Sequence, residues 1–190
     1  MNRSPLLLLS LVLVAACSRE QSPSAPPATG GSHMLTLTST AFQSGRPIPQ
    51  RFTGEGPDVS PPLAWSDPPA QTKELALIVD DPDAPTSEPW VHWLLYKIPP
   101  ETRTLPESIR KFPTLSSPIH ALQGKNSFGA SGYNGPMPPK GHGTHHYHFR
   151  LYALDQPLII LPDSSRAVLE NAIKSHILAT GELIGTYERK

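Results

Sequence analysis

Twenty-four of the 190 residues are proline, scattered singly and in pairs along the whole chain. Each proline fixes φ and removes a backbone donor, so it interrupts helices and the interior of sheet ladders. Thirteen glycines bring the turn-forming total to 37 residues. That is well above an average globular chain, yet short of the roughly 25–30% seen in low-complexity disorder. The chain must therefore fold as short elements joined by many turns. Between the prolines the apolar segments have strand character. Leu35-Thr36-Leu37-Thr38 alternates, Leu75 to Val79 is a compact apolar run, Val91 to Ile98 is rich in aromatic and aliphatic residues, and His145 to Leu154 is the longest. Short strands spaced by turn signals predict a mainly β fold, an antiparallel sandwich or barrel rather than βαβ units.

One helix is predicted, from about Ser165 to Thr180. There Leu169, Ala172, Ile173, His176 and Ile177 recur at helical spacing. Asp163 or Ser164 would cap its start, and Gly181 would end it in the left-handed conformation. Leu183 to Tyr187 then reads as a last short strand.

The N-terminal segment has a different character. Arg3 precedes an apolar run from Leu6 to Ala16, too short for a spanning helix, which needs about 20 residues. A positive start, a short apolar middle and small residues before a boundary describe a secretory signal over residues 1–16. The boundary Val14-Ala15-Ala16-Cys17 resembles a bacterial lipobox, and Cys17 is the single cysteine of the chain. The expectation is a lipid-modified Cys17, with acyl chains holding the protein at a membrane surface. Ser18 after it matches sorting to the outer membrane, facing the periplasm. Residues 17–34 are polar and rich in proline and glycine, a tether of roughly 20–25 Å as a random coil. Residues 35–190 form the single folded domain.

Charge narrows the partners. Sixteen basic and 16 acidic residues give a formal net charge of zero, so the field that drives nucleic-acid binding is lacking and none is expected. One cysteine allows neither an intramolecular disulfide nor a thiolate metal cluster.

Three polar clusters lie at strand ends. Asp80-Asp81-Pro82-Asp83-Ala84-Pro85 is a stiff acidic turn. By period, Asp81 continues the face of Leu75, Leu77 and Val79, which points inward. In Trp90-Val91-His92-Trp93, His92 alternates with Leu94 and Tyr96 and so shares their face. In Gly141-His142-Gly143-Thr144-His145-His146-Tyr147-His148, strand alternation sends His145 and Tyr147 inward with Phe149 and Leu151, and His146, His148 and Arg150 outward. His146 and His148 lie at a zinc-chelating spacing, but a catalytic site wants three protein ligands and neither a thiolate nor an HExxH helix is available. The Gly-x-Ser-x-Gly elbow of serine hydrolases is also missing. No catalytic residue, metal or cofactor is assigned.

Taken in order, DPDAP (Asp81–Pro85), Trp90-Val91-His92-Trp93, the loop from Gly132 to Gly141, the stretch His145 to Asp155 and the ending Leu183 to Tyr187 resemble the phosphatidylethanolamine-binding protein (PEBP) family. The likeness is to its bacterial branch in particular, the YbhB/YbcL-type Raf kinase inhibitor-like proteins, and covers about Leu35 to Arg189. The resemblance implies a PEBP-like antiparallel β-sandwich with a C-terminal α-helix and a small pocket for phosphate or phosphorylated head groups. Carried over by motif, the ligand-binding residues are Asp81, Trp90, His92, Gly135, Pro136, His145 and Tyr147, with Asp83 at the pocket edge. His146 departs from the usual His-Arg-Tyr pattern. Asp81 would accept a hydrogen bond from the N–H of His92 or His145, fixing that ring's tautomer and favouring the cation facing the phosphate. Affinity would then fall above roughly pH 7–8.

The function expected is an envelope-anchored binding protein, not an enzyme, that takes phosphorylated small molecules or lipid head groups and acts on partner proteins. The alternatives are a periplasmic protease or kinase inhibitor working through the pocket rim, and a metal-dependent hydrolase using the histidine-rich loop. The resemblance also brings a homodimer into consideration.

Overall fold

The computed structural model describes residues 33–190 together with Met1. The signal segment, Cys17 and the tether up to Ser32 lie outside the described residues. The strands are β1 (His33–Met34), β2 (Leu37–Thr38), β3 (Arg46–Pro47), β4 (Leu63–Trp65), β5 (Glu74–Asp81), β6 (Trp90–Ile98), β7 (Thr104–Leu105), β8 (Thr114–Leu115), β9 (Ala121–Gln123), β10 (Thr144–Leu154) and β11 (Ile177–Glu188). One helix, α1 (Arg166–Ile173), lies between β10 and β11. The short strands sit where prolines crowd: Pro47 ends β3, Pro106 follows β7 and Pro113 precedes β8.

The large sheet runs β1-β11-β10-β5-β6-β9-β8, with β3 also on β11; β2-β4-β7 form a small second sheet. Its central pairs are antiparallel, while β1 and β3 lie parallel to β11. The large sheet is covered on both faces. Leu75, Leu77, Val79, Trp93, Leu95, Phe149 and Leu151 pack towards the small sheet's Leu37, Leu63, Trp65 and Leu105. Ala76, Ile78, Leu94 and Tyr96 pack on the other side with Leu158 and with Leu169 and Ile173 of α1. Burial on both faces explains why β5 and β6 are nearly continuous apolar runs instead of alternating ones. The fold is the mainly β sandwich expected.

The helix is half the length that its periodicity predicts. Ser165, not Asp163 or Ser164, caps it, accepting from the Val168 N–H, and it stops at Ile173. His176 and Ile177 continue the helical stripe in sequence, but Ile177 already opens β11. Alternation along β11 is hidden because two of its inward positions, 181 and 185, are glycine. A Cβ on Gly181 would meet the Leu35 backbone and side chain, and one on Gly185 would run into Ile48 and Phe42. These glycines thus let the crossing segment 35–48 lie directly on the strand, and Gly181 caps no helix. Eleven residue pairs with β10 then outweigh the local preference for helix. The tether ends earlier than its composition suggests: His33 and Met34 already pair with Ala179 and Thr180. The chain then crosses from Leu35, whose N–H donates to Thr180 O at 2.7 Å, to Leu37 in the small sheet. Leu35 and Thr36 are therefore a crossover and not part of the predicted strand.

Candidate functional site

The end of β5, the start of β6 and the start of β10 come together at one end of the large sheet. Asp81, Ala84, Pro85, Thr86, Trp90, His92, Phe128, Met137, Pro138, Pro139, His145 and Tyr147 line a cleft there of about 210 Å3. Antiparallel pairing makes this inevitable, since β5 ends where both its neighbours begin. All three sequence clusters thus reach one place.

His92 gets there by a route that alternation misreads. Val79 pairs with Trp93, but Asp80 pairs with Val91, so His92 is an extra residue opposite the break in register. Such a bulge re-aims a side chain. Leu94 and Tyr96 face α1, whereas His92 and Trp93 face the other side, where His92 meets Tyr147 edge-on at 5.1 Å between ring centroids. The expectation that His92 shares a face with Leu94 and Tyr96 is therefore corrected.

Asp81 is 3% exposed and His145 1%. The Asp81 Oδ2 carboxylate oxygen accepts from His145 Nδ1 at 2.7 Å, and Oδ1 accepts from the Asp83 N–H at 2.9 Å. The carboxylate partner puts the His145 proton on Nδ1. His92 is not held by Asp81. Its Nδ1 donates to the Asn134 carbonyl at 2.6 Å, so in the neutral ring Nε2 carries the lone pair. Burial pushes the His92 pKa down, although the Asn134 carbonyl and the Asp81 charge oppose this. Among the described residues the buried Tyr147 hydroxyl has no aligned hydrogen-bond partner, although the Asp81 carboxylate stands near it. Burial raises its pKa most; the Asp81 charge nearby raises it further without a well-aligned hydrogen bond. The phenol therefore stays protonated, a donor without an acceptor.

The apolar walls are Trp90, packed edge-on to Phe128 at 5.5 Å, and Met137 with Pro138 and Pro139. Gly135 and Pro136 do not line the cleft but stand behind it. The Gly135 N–H donates to Asp58 Oδ1 at 2.6 Å, and Pro136 O accepts from the Gly54 N–H at 2.9 Å. Asp83 does not line it either. Its Oδ2 accepts from both the backbone N–H and Nδ1 of His146, at 2.8 and 2.7 Å. Burial works against the Asp83 charge, yet those bonds hold its pKa below the usual carboxylate value. Its one link to the cleft is the N–H that steadies Asp81.

Sequence reasoning missed a supporting layer. Asp58 Oδ2 accepts from Asn134 Nδ2 and from Lys111 Nζ, while Asn126 Nδ2 donates to Asn134 Oδ1 at 2.8 Å. Asn134 in turn holds His92. No motif marks Asp58 or Asn126; only tertiary contact does. Phe128 was also unmarked, although it packs on both Trp90 and His92.

His146 and His148 each pair with a separate carboxylate, Asp83 and Glu182. Among the described residues no group of three or more His, Cys, Asp and Glu gathers as a metal set. The hydrolase reading finds no support in this arrangement.

Comparison with known proteins gives the family and the fold. The family profile described as phosphatidylethanolamine-binding protein matches residues 38–188. A UPF0098 protein of Pyrococcus horikoshii is 48% identical over 162 residues, covering 85% of this chain and 81% of that protein. A Mycobacterium tuberculosis protein that carries the name lipoprotein LppC is 37% identical, covering 99% of this chain and 98% of its own length. Among solved structures, Escherichia coli YbcL superimposes with a TM-score of 0.77 at 35% identity, covering 82% of this chain and 99% of that one. The PEBP homologue CT736 of Chlamydia trachomatis gives 0.74 at 41%, covering 84% and 100%. The topology, the convergence of the three motifs and a profile match across nearly the whole folded domain lead to one conclusion: this chain belongs to the phosphatidylethanolamine-binding protein family.

Proposed function

We propose that the protein is an envelope-anchored binding protein whose cleft takes inorganic phosphate or a phosphorylated head group. The observation that carries this reading is the Tyr147 hydroxyl, buried at the cleft with no aligned partner among the described residues. A buried donor left unpaired costs about 1–3 kcal/mol, so a ligand oxygen accepting from it recovers that loss. Beside it, His145 is oriented by Asp81, and His92 offers Nε2. A hydrogen phosphate matches this set. Its oxygens accept from Tyr147 and, when the His145 ring carries both protons, from His145 Nε2–H, and its P–OH donates to the Nε2 of neutral His92. The apolar walls of Trp90, Phe128 and Met137 suit the carbon chain of a small head group. Asp81 is then the tautomer-fixing residue and not a repelled neighbour of the anion.

The His92 environment moves the expected pH window. Its lowered pKa keeps the ring neutral near pH 7, so His92 brings a positive charge to the cleft only on the acid side of the ordinary histidine value.

Anchoring rests on the lipobox-like Val14-Ala15-Ala16-Cys17 and is supported by the likeness to a relative named as a lipoprotein. Among the described residues no helix is long and apolar enough to cross a membrane.

Calorimetric titration with inorganic phosphate and with phosphoethanolamine tests the binding reading. Saturable binding by the native chain that weakens about tenfold in Tyr147→Phe is expected, the scale of one hydrogen bond from a buried donor. No binding of either ligand between pH 5.5 and 8.5 would refute it.

A further inference from the structure

His145 has two ring nitrogens, and both are occupied. Nδ1 donates to Asp81. Nε2, the nitrogen left for a ligand, stands 2.8 Å from Nδ1 of His142. Two imidazole nitrogens approach that closely only with one proton between them, so each ring satisfies the other and neither offers that atom elsewhere. His145 is 1% exposed, while His142 is an exposed loop residue whose ring covers it.

The loop is built to let go. His142 stands between Gly141 at φ 71° and Gly143 at φ 89°, left-handed conformations that glycine adopts without strain. A Cβ added at either glycine would meet nothing within 4 Å, so the space beside the turn is open, and one backbone bond, from the Gly141 N–H to Arg189 O at 3.1 Å, ties its base to the end of the chain. The His142 ring makes one hydrogen bond, the one to His145. Its backbone N–H donates to Pro139 O at a long 3.2 Å. By contrast, His145 is fixed by Asp81 below and by strand pairing with Tyr187. When the pair separates, His142 is the member that moves.

We propose that His142 is a latch on the anion site: it competes with the ligand for His145 Nε2 and must swing away before that nitrogen can meet a phosphate, accepting from its P–OH or, when the ring carries both protons, donating to its oxygen. The inference rests on the anion-binding reading of the same cleft and adds a residue to it. His142 sets affinity by intramolecular competition, without itself lining the cleft. It also filters ligands. A strong acceptor such as a phosphate oxygen replaces the imidazole, whereas a weak neutral acceptor leaves the latch closed.

The test is calorimetric titration of the full chain and its His142→Ala variant with inorganic phosphate at one fixed pH. Tighter binding by the variant is expected, by about 3- to 10-fold, the range of one net hydrogen bond. Proton–nitrogen spectra of the histidine rings in the native chain supply a second readout. Phosphate should convert His142 Nδ1 from a hydrogen-bonded to a solvent-exposed signal while His145 Nδ1 keeps its bond to Asp81. Phosphate binding by both proteins with equal or weaker affinity in the variant, or a His142 signal unmoved at saturation, overturns the latch and leaves the anion site standing. Binding by neither protein sinks both.

Discussion

Tyr147 and His92 show how burial alone gives two side chains opposite uses. The phenol is kept protonated and unpaired; the imidazole is kept neutral, with Nδ1–H committed to Asn134. Removing the Tyr147 hydroxyl should therefore leave stability unchanged or raised by about 1 kcal/mol, because a buried unsatisfied group disappears. Chemical denaturation of Tyr147→Phe measures this, and the same variant should lose phosphate affinity. For His92 the sign of the pH effect follows from linkage. Its folded pKa lies below the unfolded value of about 6.5, so below that pH the unfolded chain binds the extra proton. The stability it contributes is whole above about pH 6.5 and is lost as pH falls through that value towards the folded pKa. Thermal melts from pH 8 to 5 should show this decline, and a flatter one in His92→Gln, which has no titrating ring.

At the scale of elements, the loop behind the cleft and the β8–β9 edge depend on single residues. Gly135 is outside the left-handed region, but a Cβ there would run into the Phe52 carbonyl and the Thr53 backbone. Gly135→Ala should cost about 1–3 kcal/mol as an overpacking change and weaken ligand binding, since the same turn holds Asn134 against His92. Gln123 is fully buried on β9. Its Oε1 accepts from Trp93 Nε1 at 2.6 Å, and its Nε2 donates to Arg110 O and Phe112 O, each at 2.7 Å. Gln123→Leu strands those partners and should cost about 3 kcal/mol, read from the denaturation midpoint, with phosphate affinity little changed because Gln123 does not line the cleft. A sequence scan passes over Gln123 because a lone glutamine between apolar residues carries no motif.

At the scale of the molecule, α1 is clamped to the large sheet by charge as well as by Leu169 and Ile173. Asp80, 1% exposed, pairs with Arg150 at 2.6 Å and lies 2.9 Å from Arg166 of α1, the latter contact not aligned as a hydrogen bond. Both arginines are partly exposed, so the pairs are screened. Asp80→Ala should still cost about 2–3 kcal/mol, because both arginines lose their shared buried partner and keep only the more exposed Glu182 and Glu170. Asp80 and Asp81 are sequence neighbours with opposite duties, one fixing the helix and the other orienting His145 in the cleft. The anchoring proposal belongs to this scale too. Cys17→Ser should move the protein from the membrane to the soluble fraction of an envelope preparation and abolish labelling by radioactive palmitate.

Proline spacing and the strand-like apolar segments between the prolines determined that the chain would be mainly β with short connections, because a ring-locked φ and a missing N–H act wherever proline stands. Local alternation was enough to send Asp81, His145 and Tyr147 inward, and the three motifs were enough for the family. What only the tertiary structure decided depended on partners distant in sequence. The bulge that turns His92 over exists because β5 and β6 pair out of step. The second half of the expected helix became β11 because β10 offered a full ladder, and because two glycines made room for residues 35–48. Asp81 paired with His145 and not His92 because β10 and the Asn134 turn reach the cleft from different sides. Periodicity reports how a segment would bury its own apolar face; it carries no information about which other segment arrives to cover it.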